Sequence, residues 1–251
     1  MQAEVIVVTS AYGHDKVRAL GGQAALLPII AASGADGVEI RRELLNRDES
    51  LPGLAEQIRA CHLSCVYSSP TPLFDPTGTP DLHGLTERLD EATQLGARLL
   101  KLPLGHAPDN PGLAGLTALL RTGDIRLLIE NDQTPEGGTP APLLRFFQAV
   151  QQQGAPIGMT FDMANWHWLG EDNARAAAQL ASFVEYIHVK ASRERDGKVH
   201  AVSLDEAPDT WAPLIPLLPT TVPRGIESPL LGDDLAAVTR GYVNRLRIPA
   251  A

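Results

Sequence analysis

An eightfold alternation limits what this chain can fold into more than any other feature. Short apolar or β-branched runs recur along its whole length, separated by longer stretches with helical spacing or by loops rich in Pro and Gly. The runs predict strands at Glu4–Thr9, Gly37–Arg41, Ser64–Ser68, Arg98–Leu102, Arg126–Asn131, Ile157–Asp162, Tyr186–Lys190 and Arg224–Glu227. Strands of this kind alternating with amphipathic helices are the pattern of βαβ units on a parallel sheet. The clearest helix is Asp81–Leu95. Leu82, Leu85, Leu89 and Ala92 share one face, Asp81 can cap the free N–H groups of the first turn, and Gly96 supplies a left-handed stop. Pro140–Gln153, closed by Gly154, and Glu171–Phe183 read similarly. Pro28 is expected to mark the true start of the helix within Gln23–Ser33, and Asp233–Arg247 opens acidic and ends basic, as the helix dipole favours.

Eight such pairs in 251 residues predict an α/β fold, a (β/α)8 TIM barrel forming a single domain over 1–251. The competing open, doubly wound sheet lacks its Gly-rich nucleotide turn after the first strand. Ser69–Pro80 and Gly197–Pro208 are expected to be long loops at the C-terminal ends of the strands, where barrel enzymes carry their chemistry.

The charge balance narrows the partners. Thirty acidic residues against 21 basic ones give a net charge of -9, a field that repels phosphate backbones unless a basic patch overrides it. The nearest thing to one is Arg193, Arg195 and Lys198, so no nucleic-acid partner is expected. Cys61 and Cys65 are too few for a disulfide framework and read as reduced thiols. The longest apolar run, Leu26–Ala32, contains Pro28 and falls well short of the roughly 18 residues of a membrane span. With no signal-peptide pattern at Met1–Thr9, a cytoplasmic location away from membranes is expected.

The chemistry lies at the ends of the late strands. In "LLIEN" the core residues Leu127, Leu128 and Ile129 run straight into Glu130, and a carboxylate there is costly without a partner. The next three strands also end in metal-ligand residues: Asp162 in "MTFDMAN", His188 in "YIHVK" and Glu227 in "GIESP". Neighbouring strand ends of a barrel converge on its axis, so these four can meet at one point. Three carboxylates sharing that point would force a proton onto one of them unless a cation were present. A divalent ion answers the requirement, and mixed carboxylate and imidazole ligation suits Mn²⁺, Co²⁺, Zn²⁺ or Mg²⁺ better than Ca²⁺.

With these residues in place, the chain resembles the xylose isomerase-like TIM barrels, which include ketose 3-epimerases, hydroxypyruvate isomerase, inosose dehydratase and the more distant endonuclease IV. The resemblance runs from "AEVIVVTSAYG" through "GADGVEIRREL", "KLPLG" and "LLIEN" to "FDMAN", "YIHVKAS" and "GIESPL". It implies Glu130, Asp162, His188 and Glu227 as the metal ligands, with Glu130 and Glu227 as the catalytic acid and base. It also implies Glu136, Lys101 and Glu39 as polar residues near a small sugar or sugar-derived substrate. Asn165 stands where the epimerases carry a substrate-binding histidine, with His167 close by. Glu194, flanked by Arg193 and Arg195, stands where they carry an arginine. His14, after the first strand, and His106 are further candidates to line the pocket, and Trp166 and Trp168 could form a sugar-stacking wall.

The implied reaction is isomerisation or epimerisation of a hydroxy-ketone or hydroxy-aldehyde through a metal-stabilised enediolate. Expulsion of a β-hydroxyl by the same groups would make the protein a dehydratase. An endonuclease IV-like activity is disfavoured by Asn165, the sparse histidines and the acidic balance, and a non-catalytic sugar-binding protein has no need of two glutamates beside a metal. Related proteins are often dimers or tetramers, so a homo-oligomer is an expectation of the resemblance alone.

Overall fold

The computed structural model describes residues 2–247. Eight parallel strands close into a barrel: β1 (Val5–Val8), β2 (Gly37–Arg41), β3 (Ser64–Ser68), β4 (Leu99–Pro103), β5 (Arg126–Glu130), β6 (Ile157–Asp162), β7 (Val184–Val189) and, after a hairpin of β8 (Ala191–Arg195) and β9 (Lys198–Val202), β10 (Arg224–Ile226). Closure runs through β10, which pairs with β1 at Val5 and Arg224 and with β7 at Gly225 and His188. The helices are α1 (His14–Ala19), α2 (Leu27–Ala32), α3 (Leu51–Ala60), α4 (Leu82–Leu95), α5 (Ala114–Leu120), α6 (Pro140–Gln153), α7 (Asn173–Leu180) and α8 (Leu235–Arg247).

Local signals act as the sequence predicts. The Asp81 carboxylate accepts the Gly84 N–H at 2.9 Å, and the α4 stop at Gly96 has φ 67°. Pro28 lies in the first turn of α2, where its missing N–H costs nothing. The predicted strands shift by one or two residues: β7 begins at Val184, and β10 ends at Ile226, leaving Glu227 just beyond it.

Two expectations give way. Gly197–Pro208 is not a free loop, because Lys198–Val202 pairs antiparallel with Ala191–Arg195. The hairpin turns at Asp196 (φ 51°) and Gly197 (φ 72°), an Asp-Gly pair suited to a tight two-residue turn. No α-helix lies between β7 and β10. The chain there forms short 3₁₀ turns at Pro208–Thr210 and Ala212–Leu217, where Pro208, Pro213 and Pro216 withdraw the N–H groups a longer helix would need.

Inside the barrel, strand alternation sorts the chemistry by height. Ile6, Val66, Leu128 and Tyr186, with Leu99 against them, form an apolar plug. Two residues further along their strands, Leu99, Leu128 and Tyr186 give way to Lys101, Glu130 and His188. The plug is the floor on which the polar cluster stands. No helix among the described residues is long and apolar enough to cross a membrane.

Candidate metal centre

Four consecutive barrel strands deliver Glu130, Asp162, His188 and Glu227 to one place. One ligand atom from each lies within 4.8 Å of the others. His188 Nδ1 is 2.8 Å from Glu130 Oε1 and 3.1 Å from Glu227 Oε2, while Nε2 on the other side of the ring is 2.8 Å from Glu39 Oε2. If Nε2–H donates to Glu39, Nδ1 turns its lone pair toward two carboxylate oxygens, an arrangement that calls for a cation between them. Glu130 Oε1 is buried, and in that tautomer the Nδ1 beside it at 2.8 Å has no proton to donate. An orphaned carboxylate oxygen in a convergent set of carboxylates and imidazole fits a divalent ion.

The backbone fixes the candidate ligands. Asp162 Oδ1 accepts the N–H groups of Ala164 at 2.8 Å and Asn165 at 2.9 Å, which leaves Oδ2 for the centre. Asn131 ties β5 to β6: its Oδ1 accepts from Asp162 N at 2.8 Å and its Nδ2 donates to Asp162 O at 3.0 Å. Tyr186 donates its hydroxyl to Glu39 Oε2 at 3.0 Å.

Three cations of the chain balance the carboxylates. Lys101, 1% exposed, lies 2.7 Å from Glu130 Oε2 and 3.2 Å from Glu39 Oε1. Arg41 is 3.3 Å from Glu227 Oε1 and 2.8 Å from Glu43. Lys190 is 3.3 Å from Glu227 Oε2, 3.2 Å from Asn165 Oδ1 and 3.5 Å from Asp162 Oδ2. Burial would raise all the carboxyls, yet Lys101, His188 and Arg41 hold Glu39 well below the usual range. Glu227 is likewise held low against its burial, by Lys190, His188 and Lys101. Asp162 goes the other way. Burial, joined by repulsion from Glu227 and Glu130, outweighs Lys190 and pushes it up to about 7, the protonation that crowding three carboxylates demands. His188 is lifted above its ordinary value, because Glu39, Glu130 and Glu227 together exceed the opposing effects of burial and Lys101.

No protein-family model matches the sequence, and no curated protein matches it. Solved structures do match. A xylose isomerase domain-containing protein from Salmonella typhimurium LT2 superposes with a TM-score of 0.71 over 98% of this chain and 96% of its own, at 14% identity. The chain shares the (β/α)8 TIM-barrel fold of that protein. An L-ribulose 3-epimerase aligns at 15% identity with a TM-score of 0.66, covering 97% and 94% of the two chains. A probable 3-DHS dehydratase from Bacillus anthracis aligns at 12% identity with a TM-score of 0.66, covering 97% and 98%. An AP endonuclease from Brucella melitensis also shares the fold, so the barrel by itself excludes neither small-molecule nor nucleic-acid substrates.

Within this barrel, the residues singled out from the sequence separate into groups. The four proposed ligands meet. Lys101 and Glu39 join them, but beneath the surface: Glu39 is fully buried and Lys101 is paired with two carboxylates, so neither is free to hold a substrate group. Asn165 is also at the centre, with Nδ2 donating to Asn131 O at 2.9 Å. His167 stands beside it, half-buried, with Nδ1 2.6 Å from Ser192 Oγ. Glu136 lies in the loop after β5, 3.8 Å from His106 Nδ1. Arg193 lies on the hairpin and lines one cavity with His167 and Ser192, its guanidinium donating to Glu206 O at 2.8 Å and to Asp209 at 3.4 Å. His14 is exposed at the start of α1 and makes no hydrogen bond to the cluster. Trp166 is fully buried against Phe161 and cannot form a stacking wall, whereas Trp168 lies 5.8 Å from Lys190 Nζ.

Three residues of the centre escaped the sequence reading: Arg41, Asn131 and Lys190. Arg41 follows Glu39 by two positions and Lys190 follows His188 by two. A strand puts such pairs on the same face, so the signal was present.

Proposed function

We propose that the protein is a divalent-metal-dependent isomerase or epimerase acting on a small hydroxy-ketone or hydroxy-aldehyde, a sugar or sugar-derived acid. The convergence of Glu130, Asp162, His188 and Glu227 within 4.8 Å carries this reading. These four would hold the ion, and the ion would supply Lewis-acid polarisation of the substrate carbonyl. The remaining chemistry belongs to the two glutamates. Glu130 Oε1 and Glu227 Oε2 approach His188 Nδ1 from different strands, so a substrate carbon beside the centre can meet a carboxylate on either side. One glutamate takes the proton from the carbon next to the carbonyl and the other returns it. Return to the same carbon on the opposite face is epimerisation, and return to the neighbouring carbon is isomerisation. Against their burial, Lys101 and His188 keep Glu130 ionised as a base, and Lys190, with His188 and Lys101, does the same for Glu227.

Exchange of the substrate's α-proton with solvent deuterium tests the reading. With Mn²⁺ present, a panel of keto-sugars should include at least one that exchanges, and Glu130→Gln and Glu227→Gln should each lower the rate by about 10²–10⁴-fold, the range of general acid–base contributions. No exchange with any member, in a protein that binds Mn²⁺, would remove it. A dehydratase reading draws support from the 3-DHS dehydratase that shares the fold. Loss of water from the product separates the two reactions.

A further inference from the structure

Asp162 and Glu227 each have one oxygen left for a metal ion, and both oxygens touch the same lysine. Asp162 Oδ1 is taken by two backbone N–H groups, so Oδ2 remains, 3.5 Å from Lys190 Nζ. Glu227 Oε1 faces Arg41 at 3.3 Å, so Oε2 remains, 3.3 Å from the same Nζ. Lys101 does not contend in this way. It binds Glu130 through Oε2 and leaves Oε1 directed at His188. A divalent ion drawn to Asp162 Oδ2 and Glu227 Oε2 would stand within a few ångströms of an ammonium in a low-dielectric site, and two cations there repel strongly. Lys190 has somewhere to go. Its side chain is 12% exposed, Asn165 Oδ1 lies at 3.2 Å and the Trp168 ring at 5.8 Å, and a lysine on a flexible stem can exchange a carboxylate for an aromatic face.

We infer that Lys190 is an exchangeable internal cation that holds Asp162 Oδ2 and Glu227 Oε2 until a divalent ion takes them, and is then released toward the Trp168 ring. The inference rests on the metal-dependent reading above. It gives Lys190 two roles: the lysine keeps the carboxylates paired before the metal arrives, and the released ammonium then stands beside the centre for an anionic atom of the substrate.

Calorimetric titration with Mn²⁺ of the wild type, Lys190→Met and Lys190→Gln tests it. Both variants should bind Mn²⁺ at least about tenfold more tightly than the wild type, equivalent to ~1.4 kcal/mol of competition removed. With chelator present both should melt below the wild type, and saturating Mn²⁺ should raise their Tm by more than it raises the wild type's. Wild-type binding with unchanged or weaker affinity in both variants overturns the exchange and leaves the metal reading standing. No Mn²⁺ binding by any of the three proteins overturns the metal reading and the exchange with it. The Gln variant, which can still hydrogen-bond Asn165, keeps the test decisive if Lys190→Met fails to fold.

Discussion

His188 and Glu39 meet at 2.8 Å, Nε2 to Oε2, on the side of the imidazole away from Glu130, and neither side chain is exposed to solvent. Glu39 therefore acts on the centre through the ring. It fixes the tautomer and turns Nδ1 toward the other ligands, as carboxylates behind metal-binding histidines do. Glu39→Gln should leave a folded barrel with Mn²⁺ affinity reduced by roughly 10–100-fold. Calorimetry checks this, and affinity within twofold of the wild type would assign Glu39 to stability alone.

Lys101 is the most deeply buried ammonium of the site, and its two partners, Glu39 and Glu130, depend on it for charge. Removing one partner of a buried ion pair leaves an uncompensated charge and costs about 3–5 kcal/mol. Lys101→Met should lose stability of that order in urea unfolding. A loss under 1 kcal/mol would mean that water reaches the carboxylates.

The convergence of the four candidate ligands was legible because each stands at or near the end of its own strand in a motif with an apolar run before it, and a barrel turns four strand ends into one location. Arg41 and Lys190 were legible in principle from two-residue spacing. Asn131 was not, since its role is to bridge β5 and β6 by two hydrogen bonds to the Asp162 backbone, a relation that exists only once the strands are side by side. The partners of Arg193 were hidden for the same reason. The Asp196-Gly197 turn folds its strand into a hairpin and brings its guanidinium to Glu206 and Asp209, residues more than ten positions away.

Asp162 sets a pH dependence. Burial, and then repulsion from Glu227 and Glu130, raise its carboxyl to about 7, above the unfolded value near 4. The folded protein thus gains a proton that the unfolded chain lacks between those values. Its contribution to stability is present at low pH and is lost as pH rises through about 7. Metal binding needs the carboxylate, so it runs opposite: Mn²⁺ affinity should climb as pH rises toward 7 and level off above it, with proton release at pH 6. Titrations in buffers of different ionisation enthalpy measure the protons released. A pH-independent affinity between 6 and 8 would contradict the raised carboxyl.

Gly225 is the small residue against which Tyr186 and His188 pack. A Cβ there would collide with the Tyr186 hydroxyl and lie 2.9 Å from His188 Cδ2, and Tyr186 in turn donates to Glu39. Gly225→Ala must push the tyrosine, the histidine or β10 itself, a kind of overpacking that costs about 1–3 kcal/mol. The larger effect is expected in function, because displacing His188 by a fraction of an ångström spoils a convergent ligand set: Mn²⁺ affinity should fall along with Tm. Gly241→Ala is the matched control. Gly241 lies within α8 with nothing within 4 Å of its added Cβ, so alanine there should raise stability by about 0.5–1 kcal/mol and leave Mn²⁺ binding alone. If Gly225→Ala lowers Tm but binds Mn²⁺ as tightly as the control, the glycine serves packing, and the Tyr186–Glu39–His188 chain tolerates more movement than its distances imply.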